Sequence, residues 1–248
     1  MKDKISVVTV TYNCDGILRG TIESVLEQTY DNIEYVIVDG ASKDNTLNII
    51  NCYKGKIDVI ISEPDKGIYD AMNKALKLIS GDWVIFMNAG DKFFNKNVIA
   101  DCFSKDYKEF AVVFGSWYSK KNGKLSLRDS NRPFYENKSK VRSMGFSHQS
   151  VFVRTNWARK FPFDTNFRLC ADYNMIFTIY NNGGKFFNTH LPICVYDSEQ
   201  GASQSNRQLQ YKEYGKILGI EDSFYFKAKY SYIVIKHWIK NINSLLSR

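Results

Sequence analysis

The chain of 248 residues is 44% hydrophobic and 24% charged, enough apolar matter for a substantial core in one large domain or a domain with an appendage. Its formal charge of +8 suits an anionic partner, whether nucleic acid, acidic membrane or phosphorylated substrate, without choosing among them. The apolar runs are too short for a spanning helix or a secretory signal, and Cys14, Cys52, Cys102, Cys170 and Cys194 form no Cys-x-x-Cys pair, so the reading is a cytoplasmic protein without a disulfide framework or zinc site.

Ile5 to Thr11 is a β-branched run of strand type. Asp15 can cap a helix in which Ile17, Leu18, Ile22, Val25 and Leu26 recur at helical spacing, and Ile33 to Val38 returns to a buried strand. Two further cycles follow: a helix over Leu47 to Tyr53 and a strand over Ile57 to Ile61, then a helix over Ala71 to Ile79 and a strand over Trp83 to Met87. This alternation predicts an α/β fold with a mostly parallel central sheet and helices on both faces. Beyond Ala100 the order is less regular, with strands expected at Ala111 to Tyr118 and Leu125 to Leu127 and a polar loop from Arg128 to Arg142.

In parallel sheets, ligands bind beyond the carboxyl ends of the strands. Polar turns stand there after each of the first strands: Thr11-Tyr12-Asn13, Asp39 to Asp44, Glu63 to Gly67, and Asn88-Ala89-Gly90-Asp91. The last suits a hard divalent ion that in turn holds a diphosphate, although Gly90-Asp91 is also an ordinary turn sequence. Asp39 could accept hydrogen bonds from a nucleobase or ribose, or simply initiate a turn. Neither the G-x-G-x-x-G fingerprint nor a P-loop is present, which leaves a nucleotide whose phosphates are gripped by a metal rather than by a glycine-rich loop.

Taken in order, Thr11-Tyr12-Asn13, Asp39-Gly-Ala-Ser-Lys-Asp-Asn-Thr46, Glu63-Pro-Asp-Lys-Gly-Ile-Tyr-Asp-Ala-Met-Asn73 and Asn88-Ala-Gly-Asp91 resemble the inverting family-two glycosyltransferases with the GT-A fold. The resemblance implies transfer of a sugar from a nucleoside diphosphate donor, a UDP- or GDP-sugar. It implies a donor site drawn from Thr9, Thr11, Tyr12, Asn13, Asp39, Gly40, Ser42, Asp65, Lys66, Gly67, Asp70, Asn73, Asn88, Ala89 and Gly90. Asp91 aligns with the last acidic residue of the family's D-x-D element and would hold Mn²⁺ or Mg²⁺. Where many relatives carry further aspartates, this turn has Asn88 and Gly90, and one carboxylate plus substrate phosphates is chemically sufficient for Mg²⁺.

An inverting transfer needs a base for the acceptor hydroxyl. Asp172, in Cys170-Ala-Asp-Tyr-Asn174, resembles the family's base segment at the start of a helix, where an Asp can equally serve as a cap. His148-Gln149 resembles a histidine-containing turn near the acceptor, and a lone His can equally be structural. Tyr173 belongs to the same acceptor region, and the loop carrying Gly201 and Ser203 resembles a lid over the donor, or reads as an ordinary surface loop. The acceptor expected from the resemblance is a saccharide or lipid-linked saccharide of surface polysaccharide biosynthesis.

The division expected is a GT-A domain over 1–222, with a nucleotide-sugar half at 1–100 and an acceptor half at 101–222, and a basic amphipathic helix at 223–248. That helix interleaves Lys227, Lys229, Lys236 and Lys240 with apolar residues and contains no acid. It could lie on the anionic inner face of the plasma membrane, on the protein body, or on a second copy in a homo-oligomer. Two other classes are a sugar-nucleotide-binding protein that has lost transfer and a nucleic-acid-binding module; the strand patterns lack the basic-aromatic interleaving of the latter, and no nucleic acid is expected.

Overall fold

The computed structural model describes residues 2–129, 132–136, 142–197 and 206–246. The first half runs β1 (Ile5–Thr11), α1 (Asp15–Leu26), β2 (Ile33–Asp39), α2 (Thr46–Asn51), β3 (Val59–Ser62), α3 (Ile68–Leu78), β4 (Trp83–Phe86), β5 (Lys92–Phe93) and α4 (Val98–Cys102). The second half continues with β6 (Val112–Lys121), β7 (Lys124–Arg128), β8 (Phe134–Glu136), β9 (Arg142–Met144), β10 (Val151–Arg154), α5 (Thr155–Lys160), α6 (Ala171–Asn181), β11 (Phe186–Asp197), α7 (Arg207–Leu218) and α8 (Phe224–Leu246).

Among the described residues the main sheet is ordered β3-β2-β1-β4-β10-β6-β11-β5, with β7 paired to β6, and β8 and β9 form a separate hairpin. The first four strands are parallel, as the βαβ alternation requires. β10 then inserts antiparallel between β4 and β6, and β11 returns parallel to β6, so the whole sheet is mixed and passes without a break through both halves of the chain.

Alternation along the strands assigns the two faces. Ile5, Val7, Tyr35, Ile37, Trp83 and Ile85 pack with Leu18, Ile22 and Val25 of α1 and Ile49 and Ile50 of α2. Val8, Val10, Val36, Val38, Val84 and Phe86 pack on the other side with Ala71, Met72, Ala75 and Leu76 of α3 and Ala171, Met175, Ile176 and Ile179 of α6. Helices on both faces explain why the strands are continuous apolar runs.

Several element ends differ from the sequence reading. Cys14, not Asp15, is the N-cap residue of α1; Asp15 is its first helical residue, and its backbone N–H donates to Asp44 of the neighbouring loop. α2 begins at Thr46 and stops at Asn51, and β3 is shifted towards Ser62. α3 starts at Ile68, well before Ala71, because Gly67 adopts a φ of 113°, open to glycine, and turns the chain into the helix. Part of the expected 128–142 loop is strand, supplying the end of β7 together with β8 and β9.

Candidate active site

The sheet opens at the carboxyl ends of β1 to β4, and the turns there are built mostly by their own hydrogen bonds. Asp39 is fully buried; it accepts from the Ser42 backbone N–H and hydroxyl and from the Ser62 hydroxyl. Asn13, at a φ of 50°, accepts from the Lys43 N–H through its side chain, while its own N–H donates to Ser42 Oγ. These residues, expected to touch the donor, spend their polar groups on locking the 39–46 loop to the start of α1, because a buried carboxylate needs partners and this loop supplies them.

Thr9 and Asn73 also make hydrogen bonds within the fold. The Thr9 hydroxyl donates to the Met87 carbonyl beside the Tyr35 hydroxyl, inside the core. Asn73 exchanges two hydrogen bonds with the Phe163 backbone, tying α3 to the second half. Asp70 accepts from the Lys66 N–H and closes the turn into α3. Thr11 is also buried, with a hydroxyl that has no partner among the described residues.

What faces the crevice is narrower. Tyr12 is 58% exposed. A Cβ added at Gly40 would meet both the Asp65 carboxylate and the Tyr12 ring, so glycine there lets an aromatic face and a carboxylate stand side by side. Asp65 accepts from the Gly67 N–H, and Lys66 and Gly67 lie exposed at the rim.

Next to this crevice is a cleft of about 610 Å³, within the ordinary range for small-ligand sites. It is lined by the Asn88-Ala89-Gly90-Asp91 turn and by His148, Gln149, Asp172, Tyr173 and Arg168, and Trp117, Phe146, Tyr196 and Tyr214 add aromatic surface. Two elements distant in sequence meet Asp172 in the first turn of α6. The Tyr69 hydroxyl donates to its Oδ1 at 3.1 Å, and His148 Nδ1 lies 3.3 Å from its Oδ2. Nε2 of the same ring faces Asn88 Nδ2 at 3.4 Å. The ring thus bridges Asn88 and Asp172, with the donor and acceptor roles of its two nitrogens set by its tautomer. Burial, and then the Asp172 charge, push the Tyr69 hydroxyl well above its ordinary range, which keeps it a donor.

Arg168 and Leu169 are set by a buried carboxylate: Glu213 of α7 accepts both backbone N–H groups, at 2.8 and 2.9 Å. Arg168 itself lines the cleft. Sequence reasoning missed Tyr69, Arg168, Trp117, Tyr196 and Tyr214. Tyr69 lay inside a quoted motif and could have been found as the aromatic in the first turn of α3; the others carry no local signal. The lid residues Gly201 and Ser203 lie outside the described residues.

The acidic turn fits a divalent ion in part. Asn88 Oδ1 is buried with no partner among the described residues, and the buried Asp91 stands in the same turn, so the turn carries two side chains with hard oxygens. Among the described residues no group of three or more His, Cys, Asp or Glu could hold a metal, so an ion here would need phosphate oxygens to complete its shell.

Comparison with known proteins agrees with this architecture. Residues 6–167 match the model of "Glycosyl transferase family 2". A PGL/p-HBAD biosynthesis glycosyltransferase of Mycobacterium bovis is 24% identical, over 96% of this chain and 92% of that protein. The UDP-Glc:alpha-D-GlcNAc-diphosphoundecaprenol beta-1,3-glucosyltransferase WfaP of Escherichia coli is 25% identical, over 96% and 93%. Among solved structures, S. aureus TarS 1-349 in complex with UDP-GlcNAc superposes with a TM-score of 0.70 at 19% identity, over 88% of this chain and 66% of that one. The mannosyltransferase PcManGT of Pyrobaculum calidifontis, in complex with GDP-Man and Mn²⁺, gives 0.66 at 16% identity, over 86% and 62%. The parallel β/α half, the cleft at its strand ends and a family match spanning most of the chain lead to one assignment: this protein belongs to glycosyl transferase family 2 and is a glycosyltransferase of GT-A type.

Proposed function

We propose that the protein is an inverting transferase that moves a sugar from a nucleoside diphosphate donor, a UDP- or GDP-sugar, to a hydroxyl of a lipid-linked saccharide, with Asp172 as the base. The observation that carries this reading is the setting of Asp172. Tyr69 and His148 each occupy one carboxylate oxygen, hold the group in place, and leave its remaining lone pairs at the cleft.

The nucleoside occupies the crevice beside Tyr12, Gly40 and Asp65, whose floor is kept in shape by Asp39, and the diphosphate lies along the Asn88–Asp91 turn. Mn²⁺ or Mg²⁺ held by Asp91 and Asn88 Oδ1 would neutralise the diphosphate and assist its departure. Arg168, whose backbone is held by Glu213, adds a positive charge to the same cleft. As the acceptor oxygen bonds to the anomeric carbon, its proton passes to Asp172 and the bond from that carbon to the diphosphate breaks, so the nucleoside diphosphate leaves on the opposite face and the configuration inverts. Lining from Trp117 and Tyr196 suits the apolar faces of acceptor sugar rings.

The donor class is supported by the nucleotides named with TarS and PcManGT, and the acceptor class by the diphosphoundecaprenol substrate in the name of WfaP. Such an acceptor belongs to surface polysaccharide assembly and is met from the cytoplasm at the inner membrane face. The test is Asp172→Asn. Transfer should fall by about 10²- to 10⁴-fold while donor binding, read by calorimetry, is kept; near-normal turnover removes Asp172 from the mechanism.

A further inference from the structure

The last helix has two differently dressed sides. Phe226 is 4% exposed: it stacks on Tyr211 of α7 with ring centroids 4.7 Å apart and lies over Gly215, while Tyr230, Ile233 and Val234 on the same side are half-buried. On the other side Phe224, Tyr225, Tyr232 and Ile235 are 80%, 67%, 57% and 54% exposed. At helical pitch these four fall within about 100° of the circumference. Lys229 and Lys236 border that strip and are exposed; Lys227, on the far border, pairs with Asp222 at 3.0 Å. An apolar strip edged with lysines on an already packed helix is the arrangement of an interfacial anchor, in which aromatic side chains enter the headgroup region and lysines meet anionic lipid.

We infer that the outward strip of α8, Phe224, Tyr225, Tyr232 and Ile235 with Lys229 and Lys236, is a docking surface for an anionic lipid bilayer. Charge decides for lipid over a second copy of the chain. Two such strips packed face to face would bring the lysines of both copies together with no acid within the strip to answer them, whereas an anionic headgroup layer complements them. No helix among the described residues is long and apolar enough to cross a membrane, so the contact lies in the plane of the surface. α8 packs on α7, and α7 supplies Gln210 and Tyr214 to the cleft; the docked face is thus one helix away from the acceptor wall. The inference deepens the lipid-linked acceptor reading by naming the surface that would deliver the enzyme to it.

The test is co-sedimentation of the full chain with phosphatidylglycerol vesicles and with phosphatidylcholine vesicles, at low and high salt, with no acceptor present. The expected result is binding to the anionic vesicles that weakens with salt. The variant Tyr225→Ser/Tyr232→Ser/Ile235→Ser should bind at least about tenfold more weakly, with an unchanged thermal midpoint and unchanged donor binding. Lys229→Glu/Lys236→Glu should lose the anionic preference. No vesicle binding by the parent chain, or equal binding by parent and triple variant, overturns the inference. A dimer in sedimentation velocity that the triple variant abolishes, without vesicle binding, also overturns it and assigns the strip to a second copy. Because no sugar transfer is read, failure here leaves the Asp172 test standing, and the reverse.

Discussion

The carboxylates of this chain divide by what surrounds them. Asp39 ends a strand at a place where a ligand contact is expected, and in the fold it is fully buried with three internal donors that hold the loop after it. Asp172 has two donors and an edge on the cleft, so it retains capacity for a substrate hydroxyl. His148 bridges Asn88 on one side and Asp172 on the other, so it is placed to orient that carboxylate. His148→Ala should therefore lower kcat by about tenfold, the worth of a lost hydrogen bond to a charged group, with donor KM unchanged. Donor KM rising in step with the loss of kcat would make the residue a structural support of the donor site instead.

At the scale of elements, the cleft depends on α7, which reaches it from beyond the sheet. Glu213 fixes the Arg168 and Leu169 backbone, and the opposite side of α7 receives α8 at Gly215. A Cβ at Gly215 would collide with the Phe226 ring. Alanine would raise intrinsic helix propensity by about 1 kcal/mol, but forcing a buried aromatic aside costs about 1 to 3 kcal/mol, and the second effect should win. Gly215→Ala should lower the thermal midpoint and speed amide exchange across 207–236, which hydrogen-exchange mass spectrometry reads directly; a raised midpoint would mean that α8 is not held by this contact.

For the whole molecule, one buried acid fastens the bottom of the sheet. Glu34 of β2 is 7% exposed and takes hydrogen bonds from the Ser6 and Ser80 hydroxyls, the Ser80 N–H and Lys4. Burial alone would raise its pKa; together these donors overcome that and hold it at about 2, below the ordinary 4.5. The depressed value means that the contribution is complete above pH 4.5 and is lost as pH falls from there towards 2. Glu34→Gln should cost about 2 to 3 kcal/mol at neutral pH and flatten the acid limb of stability against pH, measured by denaturant unfolding from pH 2 to 7. An unaltered limb would place the acid-sensitive group elsewhere.

The parallel β/α half was legible because its signals are local: apolar runs for strands buried on both faces, helical spacing between them, and polar turns at the carboxyl ends, where a parallel sheet opens. The same signals marked the Asn88–Asp91 turn, Asp65 and Asp172 as candidates. The antiparallel insertion of β10 was not legible, since a short apolar strand carries no mark of its direction. Nor could sequence show that Asp39 and Asn13 hydrogen-bond within the fold while Tyr12 stands 58% exposed, because satisfaction depends on neighbours that only the folded loop supplies. The meeting of Asn88, His148, Asp172 and Tyr69 belongs wholly to the tertiary structure: 103 positions separate Tyr69 from Asp172, and only the packing of α3 and α6 on one face of a shared sheet brings a hydroxyl to that carboxylate. By itself the sequence determined which residue types stand at the open ends of the strands; the folded chain decided which of their polar atoms remain free to do chemistry, because hydrogen-bonding capacity is spent first on holding the turns themselves.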